Sequence, residues 1–315
     1  MDALADLLDG PRARGAFMLR STLSPPWSIR IQDEAPLTLV SMVGDEAWLI
    51  PDGGEPQRAG PGDMVIFRGP DPYTVSDDPA TEPQIVIHPG QVCTTPDGTS
   101  LSEAMDLGVR AWGNDPDGTA VMLIGAYQLK GAVTRRLLSA LPAMAVVRGD
   151  TWRSPLVDVL QDEIGRDEPG QDVVLDRLLD LLLIATLRAW FSRPDAEAPG
   201  WYRAHGDPVV GPALRLLHDD LTHPWTVAGL AAGTGVSRAA LAQRFTKLIG
   251  EPPMAYLTGI RLAQAADLLR ESDATLDAVA RQVGYGTAFA LSTAFKREHG
   301  VSPQEYRTAR PAATA

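Results

Sequence analysis

The chain has 315 residues, with 28 Lys+Arg against 40 Asp+Glu and a formal net charge of −12. Hydrophobic residues make up 44%, which excludes bulk disorder, and the length suggests about two domains at roughly 150 residues each. The single cysteine, Cys93, excludes an intramolecular disulfide and fits a reducing compartment.

In chain order, the N-terminal "MDALADLLDG" lacks a basic-then-apolar export pattern, so a cytoplasmic protein is expected. Residues 1–150 are expected to be strand-rich. "WSIRIQ", "PLTLVSM", "EAWLI", "DMVIF", "PQIVIH" and "AVMLIGAYQ" are short apolar or alternating runs. Gly/Pro/Asp turn chemistry separates most of them, as in "DGGEPQRAGPGD" and "RGPDP". Such spacing suggests a barrel or sandwich. A short helix is expected around 131–140.

From residue 151 to 192 the period becomes helical. "SPLVDVLQDEIG" and "DVVLDRLLDLLLIATLRAWF" place apolar residues three and four apart. The greasy run at 178–187 is too short to cross a bilayer and carries Asp180, so no membrane partner is expected. This segment either packs on the front domain or forms a homodimer interface, and the two are compatible. A polar stretch rich in Pro and Gly at 193–207 is the expected linker.

The region after it repeats itself. "FTKLIGEPPMAYL" and "FKREHGVSPQEYR" match at Phe245/Phe295, Gly250/Gly300, Pro253/Pro303 and Tyr256/Tyr306, an offset of 50 residues. Each is preceded by a Thr-capped apolar helix, a glycine stop (Gly235 or Gly284) and a second helix. Leu241 and Phe245 face inward in one copy, Leu291 and Phe295 in the other. Helix, glycine turn, helix is the unit whose second helix enters a DNA major groove. "MAYLTGIRLAQAADLLRES" joins the copies. Some 18 helical residues span about 27 Å, against about 34 Å between successive major-groove faces. From 206 onwards, 11 Lys+Arg meet 10 Asp+Glu, so the acidity lies in the front two thirds.

Those outward positions name the expected DNA contacts. On the first reading helix they are Ser237, Arg238, Ala239, Ala242, Gln243, Arg244, Thr246 and Lys247. Gln suits adenine edges, and Arg suits guanine or phosphate. Arg244 and Lys247 are expected at phosphates or nearby acids. On the second they are Thr287, Ala288, Ser292, Thr293, Lys296 and Arg297. Apart from Lys296 and Arg297 these are small or weakly polar, so this helix is expected to position more than to read.

Residues about 208–308 resemble the DNA-binding domain of the AraC/XylS family of bacterial transcription regulators, whose signature is carried by "GYGTAFALSTAFKREHGVSPQEYR". The front, with "PGDMVIF", resembles the cupin-type sensor domain of some members. The resemblance implies an α+β chain: a cupin-like β-barrel at 1–150, a helical dimerisation segment at 151–192, a linker at 193–207 and an all-α tandem helix-turn-helix domain at 208–308. It implies double-stranded DNA, a small-molecule effector and a second copy as partners, with RNA polymerase added for an activator. Many members carry Arg two positions before each aromatic, where this chain has Gln243 and Thr293, so the operator does not transfer.

The rival class is a metal-free cupin enzyme or isomerase with an accessory helical domain. Cupin enzymes hold a metal with closely spaced His. Here only His88 lies in the strand domain, and Pro72 and Tyr73 stand where the second cupin motif would place a ligand. No metal, cofactor or catalytic group is therefore expected. His88 and Cys93 are at most half of a soft-metal site. A barrel mouth can still bind a small molecule, and Trp27, Arg30, Trp48, Phe67, Tyr73, His88 and Cys93 are the residues expected to meet it.

Overall fold

A computed structural model describes residues 17–127, 137–193 and 198–308. The chain divides into two compact units; among the described residues one carries the strands and two helices, the other the C-terminal helices. The N-terminal stretch and most of the helix expected at 131–140 lie outside the described residues.

Among the described residues the first unit has thirteen strands: β1 Phe17–Leu23, β2 Ser28–Ile31, β3 Leu37–Met42, β4 Ala47–Pro51, β5 Gln57–Ala59, β6 Met64–Arg68, β7 Tyr73–Ser76, β8 Ile85–His88, β9 Val92–Thr94, β10 Asp106–Gly108, β11 Ala111–Gly113, β12 Ala120–Tyr127 and β13 Met144–Val147. They form a seven-stranded sheet in the order β10-β11-β1-β12-β3-β6-β13 and a six-stranded sheet in the order β5-β4-β7-β2-β8-β9. All six runs named from the sequence contain strands.

Strand alternation sorts the side chains. Ile29, Leu49 and Val75 of the smaller sheet and Val40, Phe67 and Met122 of the larger belong to one buried cluster. The intervening residues of the larger sheet are buried too, because a helix covers them. That helix is α2, Gln171–Phe191, preceded by α1, Leu156–Ile164. Tyr127 donates its hydroxyl hydrogen to the Leu179 carbonyl at 2.8 Å. A Cβ added to Gly125 would lie 2.7 Å from a Leu179 methyl, so glycine admits the helix to the sheet. This double burial explains why β3 is buried at every position. The outer side of these helices leaves Val159, Val173, Val174 and Leu181 exposed.

The second unit holds α3 Gly200–Arg203, α4 Val210–Asp219, α5 Val227–Thr234, α6 Arg238–Ile249, α7 Pro253–Glu271, α8 Leu276–Gln282, α9 Ala288–His299 and α10 Pro303–Thr308. Part of the stretch expected as a linker is structured. Residues 194–197 are not described, but from Gly200 the stretch is helical, with Trp201 and Ala204 buried. A Cβ at Gly200 would lie 2.2 Å from the Leu248 carbonyl oxygen. Glycine at this position therefore marks close packing against α6, not a spacer.

Candidate nucleic-acid interface

The two repeats build the same frame twice. Thr226 accepts a hydrogen bond from the Gly229 amide at 3.0 Å and opens α5. Thr275 does the same for α8 through the Ala278 amide at 3.3 Å. Gly235 at φ +70° and Gly284 at φ +79° make the turns, a conformation that costs other residues a steric penalty. Ser237 and Thr287 cap the next helices by accepting from the Ala240 and Ala290 amides. Both were expected at DNA, and both hydroxyls are engaged at helix starts.

Below the surface the match continues. Leu241, Phe245, Leu291 and Phe295 are fully buried. Tyr256 meets Phe245 edge-on at 5.6 Å between ring centres, and Tyr306 meets Phe295 at 5.2 Å. Gly250 and Gly300 end α6 and α9 in the left-handed conformation, and Pro253 and Pro303 are the first residues of the helices that follow. The punctuation of the sequence is thus the skeleton of each unit, and it leaves one face of α6 and one of α9 uncovered.

On α6 that face carries Arg238, Ala239, Gln243, Thr246 and Lys247, all exposed, with Ala242 half-buried. Arg244 is exposed but committed. It reaches Asp207 through Nε at 2.9 Å and Nη2 at 2.8 Å. Asp207 also accepts from the Val209 and Val210 amides, so Arg244 ties α6 to the start of α4. That clamp, and the two amides, hold the Asp207 carboxyl down at about 2. On α9, Thr293, Lys296 and Arg297 are exposed, and Ala288 and Ser292 half-buried. The Thr293 hydroxyl donates to the Phe289 carbonyl at 3.0 Å.

Phe289 was missed in the sequence. It is 81% exposed in the first turn of α9, where Ala239 stands in α6. Its spacing from Ser292, Thr293 and Lys296 was the available signal, since residues three, four and seven apart share a helix face. Arg261 was missed as well. It lies on the connecting helix α7, and donates to the Leu221 and His223 carbonyls at 2.7 Å each.

The ligand residues expected in the strand unit divide by strand face. Phe67, Tyr73 and Cys93 line a cavity between the sheets. Arg30, Trp48 and His88 do not, because Ile29, Leu49 and Ile87, their strand neighbours, point there instead. Arg30 pairs with Asp52 at 2.5 and 2.6 Å. Trp48 lies under the Arg58 guanidinium. Trp27 is buried in the core without reaching the cavity. His88 pairs with Val92 across the strands while Ile87 pairs with Cys93, so His88 and Cys93 face opposite sides. The His88 ring nitrogens lie 3.2 Å from Gln32 Nε2 and 2.9 Å from Thr94 Oγ1. A shared metal between His88 and Cys93 is excluded by this geometry.

A tandem helix-turn-helix unit in one chain with a two-sheet domain is the make-up of a class of DNA-binding regulator. The family comparisons agree with it. Residues 2–192 match the cupin family model and residues 230–309 the helix-turn-helix domain model. A putative AraC-like transcription regulator of Streptomyces lividans is 32% identical over 98% of both chains. The HTH-type transcriptional regulator AlkR of Acinetobacter baylyi is 27% identical over 98% of this chain and 99% of its own. Among solved structures, the DNA-binding domain of AdpA in complex with a target DNA is 35% identical, covering 33% of this chain and 93% of that one with a TM-score of 0.32. The chain belongs to the AraC-like family of DNA-binding transcription regulators, with an N-terminal cupin domain and a C-terminal helix-turn-helix domain. Among the described residues no helix is long and apolar enough to cross a membrane.

Proposed function

We propose that this regulator grips one face of a DNA duplex with α6 and α9 in successive major grooves, and that its front domain sets this activity in response to a small molecule. The observation that carries the reading is the pair of matched frames on one 19-residue helix, α7. At 1.5 Å per residue that helix is about 28 Å long, close to one turn of DNA, so a modest bend brings both helices into register.

In this reading α6 supplies the base readout. Arg238 and Gln243 take guanine and adenine edges, Lys247 takes phosphate, and Ala239, Ala242 and Thr246 permit close approach. Arg244 acts as a brace. On α9, Lys296 and Arg297 hold phosphates, Ala288, Ser292 and Thr293 lie against the groove, and Phe289 meets thymine methyls. The front domain, residues 1–150, is the sensor, with Phe67, Tyr73 and Cys93 in the ligand site. The segment 151–192 pairs two copies through the valines and leucine left exposed on α1 and α2. The protein works in the cytoplasm, without catalysis, and contacts RNA polymerase where it activates.

The test is selection from sheared genomic DNA with the full chain at two salt concentrations. A short recurrent site is expected, with retention falling steeply as salt rises because several phosphates release counterions. Absence of any enriched site, with ligand-free chain and with the isolated fragment 198–308, would refute the reading.

A further inference from the structure

The cavity between the two sheets has a volume of about 120 Å³. Ile29, Val40, Leu49, Val75, Trp112 and Met122 make most of its wall. Among the described residues that line it there is no lysine, arginine or histidine. Three ionisable groups reach it: Asp33, Tyr73 and Cys93. Tyr73 and Cys93 are neutral groups near pH 7, and burial moves them further from ionising, raising the Tyr73 phenol far above its usual range and the Cys93 thiol to about 11. Asp33 brings the only carboxyl group among the described lining residues.

Asp33 is only partly buried and is latched. Gln91 Nε2 donates to its Oδ2 at 2.8 Å, and the Ala35 amide donates to its Oδ1 at 3.1 Å. The backbone is strained on both sides of this latch. Glu34, next to Asp33, has φ +56°, and Gln91 itself has φ +62°. Among the described residues only Arg110 shares that conformation outside glycine. Strain of this kind collects at ligand clamps.

Size and charge then select a ligand. A cavity of about 150 Å³ lined by aliphatic residues accepts benzene, so this one takes roughly a single ring or a short branched chain. A carboxylate inside would meet Asp33 at low dielectric with no cation to offset it. A hydroxyl or ammonium would meet an acceptor already in place.

We propose that the cavity binds a compact apolar molecule of about one ring bearing a single hydrogen-bond donor, neutral or cationic, which displaces Gln91 from Asp33; anionic analogues are rejected. This deepens the sensor reading above and rests on it.

The test uses the full chain without DNA and three probes of one shape: benzylamine, benzyl alcohol and benzoate, titrated by calorimetry at pH 7. The amine and the alcohol are expected to bind at least about tenfold tighter than benzoate, the difference a charged hydrogen bond makes. Asp33→Asn keeps an acceptor for the Ala35 amide, so the turn survives. It is expected to weaken the amine about tenfold and the alcohol by less than about threefold. Benzoate binding as tightly as the amine, equal amine affinity in Asp33→Asn, or no binding of any probe each overturns the proposal. Site selection on the same preparations separates the two claims. Probes that bind without changing DNA affinity would defeat the sensor reading and leave the ligand class intact.

Discussion

Gly284, in the turn of the second helix-turn-helix unit, lies directly on the guanidinium of Arg261 from the connecting helix: a Cβ there would be 2.8 Å from Arg261 Nη2 and 2.8 Å from the Leu221 carbonyl oxygen. Arg261 holds Leu221 and His223, in the loop before the first unit, by two hydrogen bonds. One side chain thus links both reading units. Gly284→Ala adds a methyl against backbone at φ +79° and is expected to cost about 2–4 kcal/mol. Arg261→Ala, which leaves two carbonyls without this donor, is expected to cost about 2 kcal/mol. Denaturation midpoints check both, and parental stability in either variant would remove the link.

The Asp207–Arg244 clamp carries a pH signature. The Arg244 hydrogen bonds, with help from the Val209 and Val210 amides, lower Asp207 from 3.8 to about 2. A depressed carboxylate contributes stability that is complete above its unfolded value and is lost as pH falls through its folded one. The contribution is therefore present above about pH 4 and disappears towards pH 2. Asp207→Asn keeps a capping oxygen and loses the charge. Its expected cost is about 1 kcal/mol at pH 7, discounted for the half-exposed Arg244. Its stability should change less than the parent's between pH 4 and 2, and parallel curves would contradict the assignment.

Arg238, Gln243 and Arg244 all lie on α6, and different roles are proposed for them. Arg238→Ala and Gln243→Ala are each expected to weaken the selected site by about 1–3 kcal/mol and to relax preference at one position. Arg244→Ala is expected to lower stability while the preferred sequence stays the same. Repeating the selection with each variant distinguishes the two behaviours. A changed site in Arg244→Ala would move that residue to the interface.

Phe289 has its ring in solvent in the free protein. Against DNA it is expected to cover thymine methyls in the second half-site. Replacing those thymines by uracil should cost about 0.8 kcal/mol per methyl with the parent and nothing with Phe289→Ser. Equal losses in both proteins would point Phe289 away from DNA and towards a protein partner.

Much of this was legible before any coordinates. The four-point repeat gave both helix-turn-helix frames, since Gly, Pro and Thr have narrow backbone roles and Phe, Tyr and Leu alternate with them at helical spacing. The exposed positions of α6 followed from the same periodicity. What was not legible depends on contacts distant in sequence. Arg244 reads like any groove-facing cation until Asp207, 37 residues earlier, is placed beside it. The stretch around Trp201 reads as linker because Gly and Pro mark loops as often as close packing. In the front domain the strands were visible but not which face of each pointed inward. Arg30, Trp48 and His88 are expected at a ligand site for their chemistry, and pleating points them away from the cavity between the sheets. Short strands such as β5, β10 and β11, with three residues each, carry too few alternations to be recognised.

In the proposed complex, two reading helices on one connecting helix engage one face of the duplex. Hydroxyl-radical footprinting of the full chain on its selected site tests this arrangement most directly. Each copy is expected to protect two patches whose centres lie about 10 base pairs apart, with Arg238→Ala thinning only the patch under α6. A single patch per copy, or two patches on opposite faces of the duplex, would contradict it.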